Sequence, residues 1–236
     1  MNKKLTTFLI FFLLLITSLA QAHQPRLVKE NIINVKNPEA SQAFYGKLTN
    51  TPHIYNLKSE NSFNLYVGIL VPDVPNIDKD VSVLITKDHD PHDHDDHNHE
   101  EFKVLLDGTT HKWTPYYEQH AGDEYFTGPA LQSKDSDPEL HPKGVQAEAG
   151  SYTIKVFSSD NEGKYVLVIG TKERFPLNEI INTIVTMPQL KIYFEKSPFT
   201  AFSTPTMLVF LLIALLFFAV LIIFLVWLMK KIINKK

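Results

Sequence analysis

The stretch "GSYTIKVFSSDNEGKYVLVIG", Gly150 to Gly170, decides the fold. Its two β-rich runs alternate apolar and polar side chains, the signature of half-buried strands. Between them, Ser158 to Gly163 gathers the Ser, Asp, Asn and Gly residues that favour turns. The unit reads as a β-hairpin. Working outward, "SFNLYVGIL" places Phe63, Leu65, Val67 and Ile69 on one face, and "VSVLITK" does the same with Val81, Val83 and Ile85. Asp73, Pro75 and Asn76 break the chain between these two runs, and Asp107-Gly108 suits a tight turn between strands. Strands recur with turn signals between them, and no helical pattern precedes Phe175. The prediction is therefore a mainly β domain, an antiparallel β-sandwich of Ig-like or jelly-roll-like type, rather than alternating β and α units.

"FPLNEIINTIVT" then changes period. Leu177, Ile180, Ile181, Ile184 and Val185 form the apolar stripe of one short amphipathic helix, with Pro176 near its first turn and Pro188 as its stop. This helix is expected to close the core, with the membrane surface as the second option. Tyr193, Phe194, Phe199 and Phe202 follow, where aromatics mark a membrane interface or simply pack. Met207 to Met229 carries no charge, and at about 1.5 Å per residue it covers a hydrocarbon core of about 30 Å.

The flank "KKIINKK", Lys230 to Lys236, places the tail in the cytoplasm by the positive-inside rule and the body outside it. At the other end, Asn2-Lys3-Lys4, an apolar run from Leu5 to Leu19 and Ala20-Gln21-Ala22 read as a secretory signal peptide. The alternative is an uncleaved anchor, for which the run is short. The expected organisation is a signal peptide over 1–22 and an extracytoplasmic sandwich over 23–174 with an insertion at 87–101. An amphipathic helix and juxtamembrane segment over 175–206, a single-pass transmembrane helix over 207–229 and a basic tail over 230–236 complete it.

The whole chain has 23 basic and 26 acidic residues. Six lysines (Lys3, Lys4, Lys230, Lys231, Lys235, Lys236) lie in the signal or the tail, leaving 17 against 26, a net of minus nine on the exported body. That lacks the basic footprint a phosphate backbone requires, so nucleic acid is not an expected partner, whereas cations are. There is no cysteine, so an ordinary core rather than disulfides must stabilise the body, and thiolate chemistry is excluded.

"AGSYTIKVFSSDNEGKYVLVIG" resembles the last hairpin of bacterial pre-peptidase C-terminal-type domains, which are small β-sandwiches, and "NSFNLYVGILVPD" is similar to an earlier strand of them. The resemblance covers about a third of the body. It implies a binding or accessory module and assigns no catalytic residue.

The chemistry-bearing segment is "KDHDPHDHDDHNHEE", Lys87 to Glu101, with five histidines and seven acidic residues in fifteen positions. Imidazole, with a reference pKa near 6.5, is mostly neutral at pH 7 and free to ligate zinc, copper or nickel. The candidate ligands are His89, His92, His94, His97 and His99, with Asp93, Asp95 and Asp96 as oxygen donors or acceptors that orient the rings. Spacings of two residues put paired rings on one side of an extended chain, and His94/His97 are neighbours on a helical turn. The expected cofactor is a divalent transition metal, zinc before copper or nickel. The segment is similar in composition to the His/Asp-rich loops of periplasmic zinc-binding proteins. The competing reading is a solvated, low-complexity insertion between two strands.

His23 is a second candidate ligand. As a mature N-terminus its amine and ring form half of a copper-chelating brace, a layout that resembles some bacterial copper-handling proteins; the second histidine would be His53, His111, His120 or His141. "HKWTPYYEQHAGDEYFTGP" offers Trp113, Tyr116, Tyr117, Tyr125 and Phe126 as a stacking platform or as ordinary packing, and His120 with Asp123 and Glu124 as an acid/base cluster or a surface group. No G-x-S-x-G elbow, H-E-x-x-H helix, P-loop or G-x-G-x-x-G occurs, so a non-enzyme is expected, acting as a metal buffer, sensor or donor at the membrane, with an envelope protein as a further partner, or as an accessory module.

Overall fold

The structure, a computed structural model, describes residues 23–88, 102–118, 122–134 and 143–234. The signal-peptide assignment, His89 to Glu101, His120, His141 and the last two lysines fall outside the described residues. Along the described chain run β1 (Gln24–Leu27), β2 (Ile32–Val35), β3 (Gln42–Thr49), β4 (His53–Ser59), β5 (Phe63–Leu65), β6 (Val67–Pro72) and β7 (Ser82–Lys87). Then come β8 (Lys103–Leu106), β9 (Thr114–Glu118), β10 (Asp123–Leu131), β11 (Val145–Ala147), β12 (Gly150–Phe157), β13 (Glu162–Ile169), α1 (Leu177–Tyr193), a 3-10 turn (Pro198–Ser203) and α2 (Pro205–Ile233).

Two sheets face each other. One has six strands in the order β1-β3-β13-β6-β10-β9, the other five in the order β2-β4-β12-β7-β8, and β5 pairs with β11 beside them. The mainly β sandwich expected from the sequence is therefore present. It is antiparallel except at one edge of each sheet, where β1 runs parallel to β3 and β2 parallel to β4. The expected alternation holds: Val81, Val83 and Ile85 are fully buried, as are Leu65, Val67 and Ile69, with Phe63 close behind. Burying each such side chain contributes about 1.5–3 kcal/mol.

The segment Gly150 to Gly170 is not a hairpin. β12 sits between β4 and β7 in the five-stranded sheet, whereas β13 sits between β3 and β6 in the six-stranded one. Residues 158–161 carry the chain across the sandwich as an arch. Asn161 (φ 54°) and Gly163 (φ 108°) turn it, and Ser158 Oγ accepts from the Glu162 amide at 3.1 Å. The side chains that a hairpin would place on one sheet face, Tyr152, Ile154 and Val156 against Tyr165, Leu167 and Ile169, instead meet from opposite walls of the core. Alternation in the sequence records which side of each strand is apolar; partner choice depends on strands far away in the chain. Asp107-Gly108 likewise turns between β8 and β9, which belong to different sheets.

The six-stranded sheet is buried on both faces, which explains why Val166 to Ile169 is a continuous apolar run. Its outer face, with Ala43, Tyr45, Tyr125, Val166 and Val168, is covered by Met187 and Leu190 of α1, by Phe194 capping its end, by Ala201 and by Met207 of α2. So α1 does close a core, but of its expected stripe Ile184 packs against that core while much of the rest faces outward. Leu177, Ile181 and Val185 are 50%, 55% and 56% exposed, and the buried face is Thr183, Thr186, Met187, Leu190 and Lys191. Nor does Pro188 stop the helix, which continues to Tyr193. The missing Pro188 amide costs one helical bond, and packing of Leu190 and Phe194 together with the Phe194 N–H to Leu190 carbonyl bond (3.0 Å) holds the last turn.

Thr204 caps α2, its hydroxyl accepting from the Met207 amide at 3.2 Å. Met207–Ile233, 27 residues, is long and apolar enough to cross a membrane by length and composition, and runs through Lys230 and Lys231 beyond the expected end at Met229.

Candidate functional site

The strands that carry the histidine-rich segment close its mouth. The Lys87 amide donates to the Phe102 carbonyl at 3.0 Å, so the segment leaves and re-enters a paired β7–β8 ladder. Asp88, the first residue past β7, is fixed by its amide to the Ser151 carbonyl (2.8 Å) and by Thr153 Oγ1 donating to its carboxylate (2.8 Å). Lys87 Nζ pairs with Glu148 at 2.6 Å on the surface, and Phe102 packs edge-on against Tyr152 in the core. The whole ligand set named from the sequence, His89, His92, His94, His97, His99, Asp93, Asp95 and Asp96, lies outside the described residues. Among the described residues no group of three or more His, Cys, Asp or Glu side chains is placed to hold a metal.

His23 is half-buried, with Nδ1 against the Ser41 hydroxyl. Its level in the sheet is set by Gln24, which pairs with Gln42 opposite Ile169. His53 sits further along, level with Tyr165 rather than with Ile169, and is buried in the sandwich. Its Nδ1 meets the Tyr165 hydroxyl at 2.6 Å, and that hydroxyl meets Tyr55 Oη at 2.7 Å, a polar chain inside the core. Burial lowers the His53 pKa below its usual value, and burial also pushes the Tyr55 and Tyr165 hydroxyls up. His111 lies against Trp113 on the surface. Of the histidines considered beside His23, His53 is taken up by its core contact with Tyr165 and His111 lies against Trp113 in the turn before β9.

The aromatic platform does not form either. Trp113 packs on the core with Nε1 donating to the Gly108 carbonyl at 2.8 Å. Tyr125 is buried beneath α1, and Phe126 points to the opposite core, under Lys79 at 3.2 Å from its ring centroid. Period two sends these neighbours to opposite faces, so only Tyr116 and Tyr117 stay exposed. Of the acid/base candidates, His120 lies outside the described residues and Asp123 is drawn into ion pairs. Asp123 is buried and ion-paired to Lys191 (2.7 Å) and Lys196 (2.9 Å), tying the start of β10 to the end of α1. No motif in the sequence marks this triad, because the three residues meet only when α1 folds back on the sheet.

A second feature escapes sequence reading. Between the two parallel edge strands, β1 and β2, runs a groove of about 1050 Å³, floored by Val35 and Phe44 and rimmed by Lys29, Lys36 and Arg174. The first turn of α1 and Phe175 close one side.

No protein-family profile matches the chain, and no curated protein does. Among solved structures the chain is similar to the pre-peptidase C-terminal domain of a collagenase from Bacillus anthracis, at 10% identity and a TM-score of 0.26, over 63% of this chain and 95% of that one. A β-glucosidase from Paenibacillus barengoltzii is similar at 13% identity and a TM-score of 0.24, over 63% of this chain and 13% of the enzyme. The strand topology makes the chain a β-sandwich.

Proposed function

We propose that this chain is a membrane-anchored, extracytoplasmic β-sandwich that holds a divalent transition metal, zinc before copper or nickel, through His89 to His99. It is a binding protein rather than an enzyme and serves as a metal buffer, sensor or donor. The observation that carries the reading is five imidazoles interleaved with seven carboxylates in fifteen residues. Neutral imidazoles are the nitrogen donors these ions favour, and adjacent carboxylates attract the cation and orient the rings. The paired mouth at Lys87 and Phe102 supports it, since a short closed base limits the chain entropy lost when the loop wraps an ion. α2, with its basic C-terminal flank, supplies the anchor and orients the sandwich outward.

The test replaces Asp88 to Glu101 with an Asn-Gly turn, which suits a two-residue β-hairpin, and titrates zinc, copper and nickel calorimetrically into the full chain in detergent. The parent is expected to bind and the variant to lose that binding while keeping its melting temperature. Equal binding by both overturns the metal reading in favour of an accessory module with a solvated insertion.

A further inference from the structure

The groove between β1 and β2 stands out electrostatically. The exported body carries a net charge of minus nine, 17 basic against 26 acidic residues, yet this rim is basic. Arg26 is matched by Glu179 at 2.8 Å, and Glu39 beyond the rim is held by Lys172 at 2.7 Å with Arg174 as a further positive charge near it. The lining carries four cations, Arg26, Lys29, Lys36 and Arg174, against two carboxylates, Glu30 and Glu179, and Lys36 and Arg174 are both exposed. They lie at the same end. Gln42 Nε2 donates to the Lys36 carbonyl (3.0 Å), its strand neighbour Gln24 donates to the Arg174 carbonyl (2.5 Å), and Gln24 and Gln42 are in register.

Two contacts fix which way α2 leaves. Its capping residue Thr204 touches Gly122, where a Cβ would fall 2.9 Å from Thr204 Cγ2, and the Gly122 carbonyl is 3.5 Å from Nζ of Lys191, near the C-terminal end of α1. Further along α2, Phe210 packs on Phe175, just before the N-terminal end of α1, with ring centroids 5.5 Å apart. α2 therefore passes Phe175 within its first turns, on the side where Arg174 and Lys36 lie. Phe175 belongs both to the groove wall and to the contact with the apolar helix.

From this placement we infer that the groove takes the headgroup of an anionic phospholipid of the bilayer that α2 crosses, with Lys36 and Arg174 on the phosphate and Val35, Phe44 and Phe175 against the upper acyl chain. The inference rests on the anchor part of the proposed function and is independent of the metal-binding part. Its chemistry is charge complementarity between a net-positive rim and a phosphodiester at a membrane surface, where Arg adds a planar bidentate donor.

The test uses the full chain in detergent with phosphatidylglycerol or phosphatidylcholine added, bound lipid being counted by native mass spectrometry. At about 1 kcal/mol for a charge pair about 4 Å apart in water, each cation is worth about fivefold in affinity. Lys36→Gln with Arg174→Gln is expected to weaken phosphatidylglycerol binding about 25-fold, whereas Lys47→Gln with Lys112→Gln, exposed lysines on other parts of the sandwich, leaves it unchanged. Equal retention of the two lipids, equal loss in both double variants, or displacement of the lipid by millimolar inorganic phosphate overturns the inference, the last in favour of a soluble phosphate ligand. Carbonate extraction of the membranes reads the anchor separately: release of the chain from the bilayer refutes the anchor without touching the lipid count.

Discussion

Asp123→Asn is expected to be far more damaging than Lys191→Met, although the two residues form one ion pair. Lys191 is 1% exposed by side chain and Asp123 8%, and their charged atoms are 2.7 Å apart. Asp123 has a second cation, Lys196, at 2.9 Å, whose side chain reaches solvent at 27% exposure. Converting Asp123 to the neutral amide removes the carboxylate 2.7 Å from the buried Lys191 ammonium, which also has the Gly122 carbonyl at 3.5 Å. Breaking a buried pair this way costs about 3–5 kcal/mol. For a domain of this size that lowers the melting temperature by roughly 10 °C. Lys191→Met removes the buried charge itself, keeps the volume and leaves Asp123 paired to Lys196, so it costs at most about 1.5 kcal/mol. The assay is thermal unfolding of the full chain in detergent, followed by near-UV circular dichroism from Tyr45 and Tyr125, which sit in the same outer core. Equal shifts for the two variants, or a smaller one for Asp123→Asn, would refute the reasoning that burial without compensation sets the cost.

Two further outcomes follow from the same geometry. Because burial lowers the folded pKa of His53 below its usual 6.5, the unfolded chain binds the extra proton first as pH falls, and folding stability drops below about pH 6.5 by at most about 1.4 kcal/mol per unit; His53→Gln should flatten that slope between pH 7 and 5, and an unchanged slope in melting temperature would count against the buried neutral histidine. On α1, Ile181→Glu at an exposed site should change stability by no more than about 0.5 kcal/mol, whereas Met187→Ala in the outer core should cost about 2–5 kcal/mol; the reverse order in chemical denaturation would show that the helix is rotated the other way.

The helix shows where sequence reading stops. A stripe of Leu177, Ile180, Ile181, Ile184 and Val185 looks like the core-facing side by spacing alone, yet the sheet selects the neighbouring face because Asp123 neutralises Lys191 there and Met187, Leu190 and Phe194 fit against Tyr45 and Tyr125. A buried lysine is invisible as a core residue until its partner is known. The arch at 158–161 failed in the same way: its turn residues were legible, its destination was not. The cationic rim of the groove joins Lys36 to Arg174 across most of the chain, and no local window holds both.

What the sequence by itself determined was everything encoded by neighbours a few residues apart. The inward faces of the strands, including Val81, Val83 and Ile85, belong here, as do the apolar span from Met207 and the ligand-rich composition of Lys87 to Glu101. Tertiary structure alone decided which strands pair, which face of α1 is buried, and that His53 belongs to the core with Tyr165 rather than to a site with His23. Side-chain alternation is a property of one strand, whereas pairing, charge compensation and the level of a residue along the sandwich are properties of two segments brought together by the rest of the fold.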